Sequence, residues 1–380
     1  MELDLTGAST LVDGCMCSAP VSVADGQVVS DRTGRSCDLT GYLVLPGIID
    51  LHGDAFERHV APRRGAMTQL AEGIHATETE VAANGVTTAV LAQFVSWEGG
   101  LRGLEFADQV FCAIRDTRAH LVTDLRPQLR LETHLIELFD EIPERLEAWG
   151  VDYVVFNDHL PHDRLAEGRR PPRLVGQALK AGRNPDVHFD YLLALHARSA
   201  EVPAALDALC KSLRVRGMQL GSHDDATSTD RATWMARGAQ IAEFPETLEA
   251  SSAARAQGAS IVLGAPNLVR GASHKGNISA RELVEQGLCD ALASDYHYPS
   301  LRRAALLLAD LGVLELAQSW ELVSAGPAKA LGLTDRGVLA PGKRADLVIL
   351  HAETRRVAAT MSGGRFSYMS GDIAERLLSA

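Results

Sequence analysis

The sequence predicts an α/β chain, a (β/α)8 barrel of the TIM type over residues 47–334. A small β-sandwich domain built from both chain ends, 1–46 and 335–380, is expected beside it. Three observations carry this expectation. Through the middle of the chain, eight apolar, β-branched segments stand mostly between helical ones. Each end holds short strand-like runs, too little chain for a core of its own. Residues with metal-binding chemistry stand where the central strands end, the rim on which such a barrel carries its reactive groups.

The bulk properties fit a soluble globular chain. Of 380 residues, 46% are hydrophobic and 23% charged, the ordinary balance. A net charge of −12 argues against nucleic acid or an acidic membrane as partner. A small anionic substrate is compatible, because a metal and a few arginines invert the field locally. The six cysteines, 15, 17, 37, 112, 210 and 289, are scattered without a C-x-x-C pair, which suits a reducing compartment. No basic stretch leads into an apolar core at the N-terminus, and no run approaches a membrane span, so a cytoplasmic protein is expected. Association into a homo-oligomer is left open.

In chain order, Ala8–Val12 and Val21–Ala24 read as strands, with Asp25-Gly26 as a hairpin turn into Gln27–Ser30. The run Leu43–Leu51 reads as one fully buried strand ending at His52-Gly53-Asp54. A helix near Thr68–Asn84 leads to a strand at Val86–Gln93, and a helix at Leu101–His120 to a strand at Gln128–Thr133. Glu141–Trp149 is helical before Val151–Asn157. A polar, basic stretch, Leu160–Asp186, precedes a helical region over Tyr191–Arg216. Strands follow at Met218–Ser222, Gln240–Phe244, Ser260–Leu263 and Asp290–Ser294, with helices at Thr247–Gln257 and Ala280–Gln286. Gly337–Leu350 is a turn and an apolar strand, and Arg355–Met369 adds more strand.

His52 and Asp54 are two apart at a strand end, so both side chains point the same way. The later strand ends add Glu132, His159, His223 and Asp295 as imidazole or carboxylate groups, with Asn267 just past the seventh strand. Singly, each is more readily structural; together they form a ligand set for borderline divalent metals. Two ions roughly 3.5–4 Å apart would turn water into a nucleophile near neutral pH. Two divalent ions are expected, zinc first, with manganese or iron as alternatives. His59, His162, His274 and His297 stand near the mouth as supporting or substrate-touching groups. His75, His120, His134, His188, His196 and His351 read as structural. Arg63 and Arg64 follow the first strand, and Arg270 and Lys275 follow the seventh among Gly271, Ser273, Gly276 and Asn277. Small residues let main-chain N–H groups approach a phosphate, and arginine adds a fork. The loop 164–183, with Arg169, Arg170 and Arg173, reads as a solvated face.

Leu45–Asp54, His159, His223, Asp295 and Gly337–Leu350 together resemble the amidohydrolase superfamily over nearly the whole chain. Ser222–Asp225, Ala242–Thr247, Gly264–Asn277 and Ser294–Tyr296 are similar to one branch, the α-D-ribose 1-methylphosphonate 5-triphosphate diphosphatases of phosphonate metabolism. The resemblance implies His52, Asp54 and Asp295 on one metal, Glu132 as bridge, and His159 and His223 on the second. It further implies Asp295 as proton shuttle, with Arg63, Arg64, Asn267, Arg270, His274 and Lys275 against the substrate. The family pattern Asp-His-Thr-Pro-Gly-Gln is only partly kept in Asp158-His159-Leu160-Pro161-His162-Asp163, in the loop after the fourth strand. The expected reaction is hydrolysis of a ribose 5-triphosphate phosphonate ester to the 5-phosphate and pyrophosphate. The alternatives are a C–N hydrolase (deacetylase, cyclic amidase or deaminase) on the same chemistry, or a metal-free scaffold.

Overall fold

The structure is a computed structural model that describes residues 2–62, 69–271 and 278–380. Eight parallel strands lie side by side in chain order: Ile48–Gly53, Val86–Val95, Asp124–Glu132, Tyr153–Asn157, Gln219–His223, Ile241–Glu243, Ser260–Gly264 and Ala291–Ala293. The sheet closes on itself where Gly53 bridges Asp295. There the Asp54 N–H donates to the Asp295 carbonyl at 2.9 Å, and the Asp295 N–H to the His52 carbonyl at 3.0 Å. The buried Asp50 carboxylate completes the seam, accepting from the Ser294 N–H (2.9 Å) and hydroxyl (2.5 Å). Ile49, Leu51, Val90, Tyr153, Val155, Ile241 and Val262 fill the barrel, and Ala328 and Leu331 pack into the same cluster. A larger cluster, including Ile74, Phe111, Trp149 and Leu213, seals the helices onto the outside. Alternating inward and outward residues thus serve two cores at once.

The chain ends form the small β-sandwich. A six-stranded sheet runs in the order Arg365–Met369, Val357–Ser362, Leu347–His351, Tyr42–Pro46, Ser9–Val12, Cys15–Cys17. A four-stranded sheet runs Gln27–Val29, Val21–Ala24, Leu3–Thr6, Ser36–Asp38. Leu3, Leu5, Val23, Val44, Leu347 and Met361 meet in one apolar cluster, joined by Ile373 and Leu377 of the helix Asp372–Ser379. The Asp25-Gly26 turn is as expected: both residues have positive φ, 49° and 80°, the pairing a tight hairpin needs.

Three elements differ from the sequence reading. The run 43–51 is two strands: Pro46 pairs with Leu347 in the sandwich, and Ile48 with Val86 in the barrel. The chain changes sheets at Gly47, where any Cβ would collide with the Thr87 side chain. The helical region 191–216 is two helices, Pro185–Ala197 and Val202–Val215, the second begun by Pro203 one residue into its first turn. The stretch 160–186 holds two short helices, His162–Ala166 and Leu174–Lys180, anchored by buried Leu165, Leu174 and Ala178. No helix of the described residues is long and apolar enough to cross a membrane.

Arg336 joins the C-terminal segment to the base of the barrel. Its Nη1 donates to the Thr88 hydroxyl (2.8 Å) and to Asp124 (2.9 Å), with both side chains largely buried. Burial opposes charge on Asp124, but Arg126 and Arg118 outweigh it and lower its carboxyl to about 2. A depressed carboxylate stabilises the fold above its unfolded value, near 3.8, and that contribution fades as pH falls toward about 2. Arg336→Met should therefore cost about 1.5–3 kcal/mol at neutral pH, the loss of one buried charge-assisted hydrogen bond while Arg118 and Arg126 stay on Asp124. Urea unfolding at pH 7 and pH 2 checks this, the loss being smaller at pH 2, where Asp124 is largely protonated; equal losses at both would remove the ionised Asp124 from the account.

Candidate metal centre

Strand alternation and the barrel's closure bring the predicted residues to one end. His52 ends the first strand fully buried, and its Nδ1 lies 2.8 Å from Glu243 Oε2 at the end of the sixth. Neither ring nitrogen of His52, nor Glu243 Oε2, has an aligned hydrogen-bond partner among the described residues. A buried imidazole and carboxylate left without an aligned partner fit a cation held beside them. Ligand atoms of His52, His223 and Glu243 all fall within 4.8 Å of one another, as do those of His159, His223 and Asp224. His223 thus belongs to two candidate clusters at once. Phe244 presses edge-on against both His52 and His223, with ring centroids 5.3 and 4.9 Å away.

The charge states of His223 and Glu243 favour ligand chemistry. Burial and the neighbouring Arg130 push the His223 ring down to about 4, so it is neutral. Burial opposes charge on Glu243, yet His52 holds it below the usual range and ionised. Its other oxygen accepts from the Tyr153 hydroxyl (2.7 Å) and the Gln128 amide (2.9 Å). Burial and the Asp54 charge raise Asp295 to about 6. Neutral imidazole beside ionised carboxylate is the protonation pattern that binds a divalent ion.

Glu132 ends the third strand with both oxygens engaged. Oε1 meets His159 Nδ1 at 2.6 Å; Oε2 accepts from the Trp97 indole (3.2 Å) and the His159 main chain (3.1 Å). Burial works against a charged His159, but Asp224 and Glu132 raise it to about 9. In this arrangement Glu132 orients His159, whose Nε2 lies 3.8 Å from Asp224.

Arg130, two residues before Glu132 on the same strand face, was not among the expected residues. It lies between Asp54 (3.5 Å) and His223 Nε2 (3.0 Å), with its guanidinium over the Phe94 ring at 3.8 Å. Asp54, Glu243, Asp295 and Asp224 offset its charge. Strand alternation from Glu132 is the signal that finds it. Glu243 is found by the strand-end rule applied to the sixth strand.

Several of these groups line a cavity of about 650 Å³, with His52, Glu132 and Glu243 buried behind its wall. Asp54, Arg130, His159, His223, Asp224 and Asp295 lie on its wall, together with Asn267. It is also lined by Phe94, Trp97 and Phe244, by Pro171 and Pro172, and by Arg102 and Arg173. Arg173 is exposed, as expected of its loop, and also borders the cavity. Arg169 and Arg170 instead pair with Glu167 and Asp186 among exposed groups. Arg270 donates to the Tyr296 hydroxyl at 3.0 Å. Arg63, Arg64, His274 and Lys275 lie outside the described residues.

Residues 43–366 match the model of the amidohydrolase family. The chain is 34% identical over 357 residues to the alpha-D-ribose 1-methylphosphonate 5-triphosphate diphosphatase of Escherichia coli (strain K12), covering 90% of this chain and 93% of that one. It is 26% identical to an adenine deaminase of Sinorhizobium fredii, over 93% of this chain and 56% of the deaminase. Among solved structures, molinate hydrolase superposes with a TM-score of 0.66 at 15% identity, covering 100% of this chain and 96% of that one. With that likeness joined to the ligand clusters at the strand ends, the chain belongs to the amidohydrolase family and is a metal-dependent hydrolase of that superfamily.

Proposed function

We propose that the enzyme hydrolyses a ribose 5-triphosphate phosphonate ester, releasing pyrophosphate and leaving the sugar 5-phosphate. The observation that carries this reading is one cavity wall bearing both the His159, His223 and Asp224 cluster and the guanidiniums Arg102, Arg130 and Arg173. The 34% identity to the Escherichia coli diphosphatase supports it over most of both chains. His52, His223 and Glu243 would hold one divalent ion, and His159 with Asp224 a second beside it. Asp54 and Asp295 face the same space. A bound divalent ion supplies an acidified water and neutralises charge on the phosphates.

The protein's own groups do the rest. Asp295 accepts the proton of the attacking water, its carboxyl lying close to the range a general base needs. Arg130, fixed by Asp54 and His223, presents a fixed positive charge to phosphate oxygens without reorganising. Arg173 and Arg102 meet the outer phosphates, and Phe94 and Trp97 offer an apolar face to the sugar. Attack at the α-phosphorus in 18O-labelled water should place the label in the sugar monophosphate and leave pyrophosphate unlabelled. Label in pyrophosphate would mean attack at the β-phosphorus. Arg173→Ala should raise KM for the triphosphate roughly tenfold, the loss of one charge-assisted contact, and leave a neutral ester nearly unchanged. Equal losses for both would remove Arg173 from phosphate binding.

A C–N hydrolase is the second reading, favoured by the aromatic and prolyl part of the wall, Phe94, Trp97, Phe244, Pro171 and Pro172. Release of ammonia or an amine from C–N substrates, with no turnover of any triphosphate, would decide for it.

A further inference from the structure

Outside the cavity wall, the loops after the third and fourth strands bring together a second group of ligand-type side chains. His134 stands two residues past the third strand, Asp158 directly follows the fourth, and His162 opens the short helix His162–Ala166. Their ligand atoms lie within 4.8 Å of one another. His162 Nε2 is 3.2 Å from Asp158 Oδ1, and His134 Nδ1 is 3.6 Å from the same oxygen. Around a tetrahedral zinc ion with bonds near 2.0–2.1 Å, neighbouring ligand atoms sit about 3.3 Å apart. Both spacings are within a few tenths of an ångström of that edge.

The far nitrogens are also held. His134 Nε2 meets the Ser199 hydroxyl at 3.2 Å, and His162 Nδ1 meets His196 Nδ1 at 2.8 Å. Metal-binding imidazoles are oriented in this way, one nitrogen on the ion and the other on a fixed partner. The Thr133 hydroxyl, 3.2 Å from His134 Nδ1, is a rotor that yields to an ion. The rings are packed as well, His134 on His162 and His162 on His196, with centroids 4.8 and 5.1 Å apart. His134 is buried, while Asp158 and His162 are open enough for an ion to enter.

We propose that His134, Asp158 and His162 form a separate site for one divalent ion of zinc-like softness, distinct from the centre in the cavity. Three protein ligands leave a fourth position for water. The ion would tie two barrel loops to the helix His162–Ala166 and, through His196, to the helix Pro185–Ala197. Between those helices lie Pro171, Pro172, Arg173 and Gln177, which line the cavity, so the site would hold that wall in place. His162 stands in the stretch where this sequence departs from the family pattern.

The test uses the full chain and zinc alone. Metal-stripped protein titrated with zinc should bind one ion more per chain than His162→Gln, a change at a half-exposed position with little demand on folding. Crystals grown with zinc and measured at its absorption edge should show an anomalous peak among His134, Asp158 and His162. In His162→Gln that peak should vanish while any peak beside His52 and His223 stays. Equal stoichiometry in the two proteins, or no peak among the three residues, would overturn the proposal. Neither readout depends on activity, so failure here is distinguishable from failure of the hydrolase reading.

Discussion

Asp295→Asn should lower kcat by roughly 10²–10⁴, the usual worth of a general base, without unfolding the protein. The fold is expected to survive because the seam at this position is made by main-chain groups, Asp295 with His52 and Asp54. Asparagine keeps the volume and removes the proton acceptor with its charge, leaving Asp54, Glu243 and Asp224 to offset Arg130. Steady-state kinetics beside a metal assay and a melting curve separate the outcomes. Near-normal turnover at full metal content would exclude Asp295 from proton transfer. Loss of metal together with activity would make it a ligand instead.

Glu243→Gln should weaken metal binding at least about 10–100-fold, the range seen when a carboxylate supporting a metal-bound histidine is lost. The reasoning is electrostatic. Glu243 is fully buried and set against His52, so its charge has no water to spread into and acts on whatever lies between the strand ends. Glutamine still accepts from Tyr153 and Gln128, which keeps the shape but not the charge. Competition with a chromophoric chelator measures the change, and an affinity equal to wild type would remove Glu243 from the centre.

Much of this was legible in the sequence because burial on both faces leaves a strong mark. The eight barrel strands read as apolar runs, and the strand-end rule finds His52, Asp54, Glu132, His159, His223 and Asp295 without coordinates. What stayed hidden has physical causes. Hydrophobicity records that Leu43–Leu51 is buried but not which sheet takes its hydrogen bonds, so the change at Gly47 was invisible. The third strand begins at Asp124-Leu125-Arg126-Pro127, a charged and proline-bearing start that reads as loop, yet it pairs along the second strand from Thr88. Arg130 sits inside that strand. Arginine is almost never fully buried alone, and the acids that make it tolerable come from strands far away in sequence. The helices of 162–180 rest on only a few buried residues, too few for a periodic signal.

The seam has a temporal consequence. Asp50 and Ser294, joined side chain to main chain, are 244 positions apart, and the same closure sets Asp295 beside His52 and Asp54. A growing chain that has made only its first strands owns His52 and Asp54 but not their counterparts. The cavity chemistry comes into being only when the last strand docks on the first, the longest-range strand pairing of the barrel and so among its slowest to form. A nascent or half-folded enzyme therefore lacks the complete set of ligands. Tight metal capture would report that the barrel has shut, and the ion would then resist its reopening.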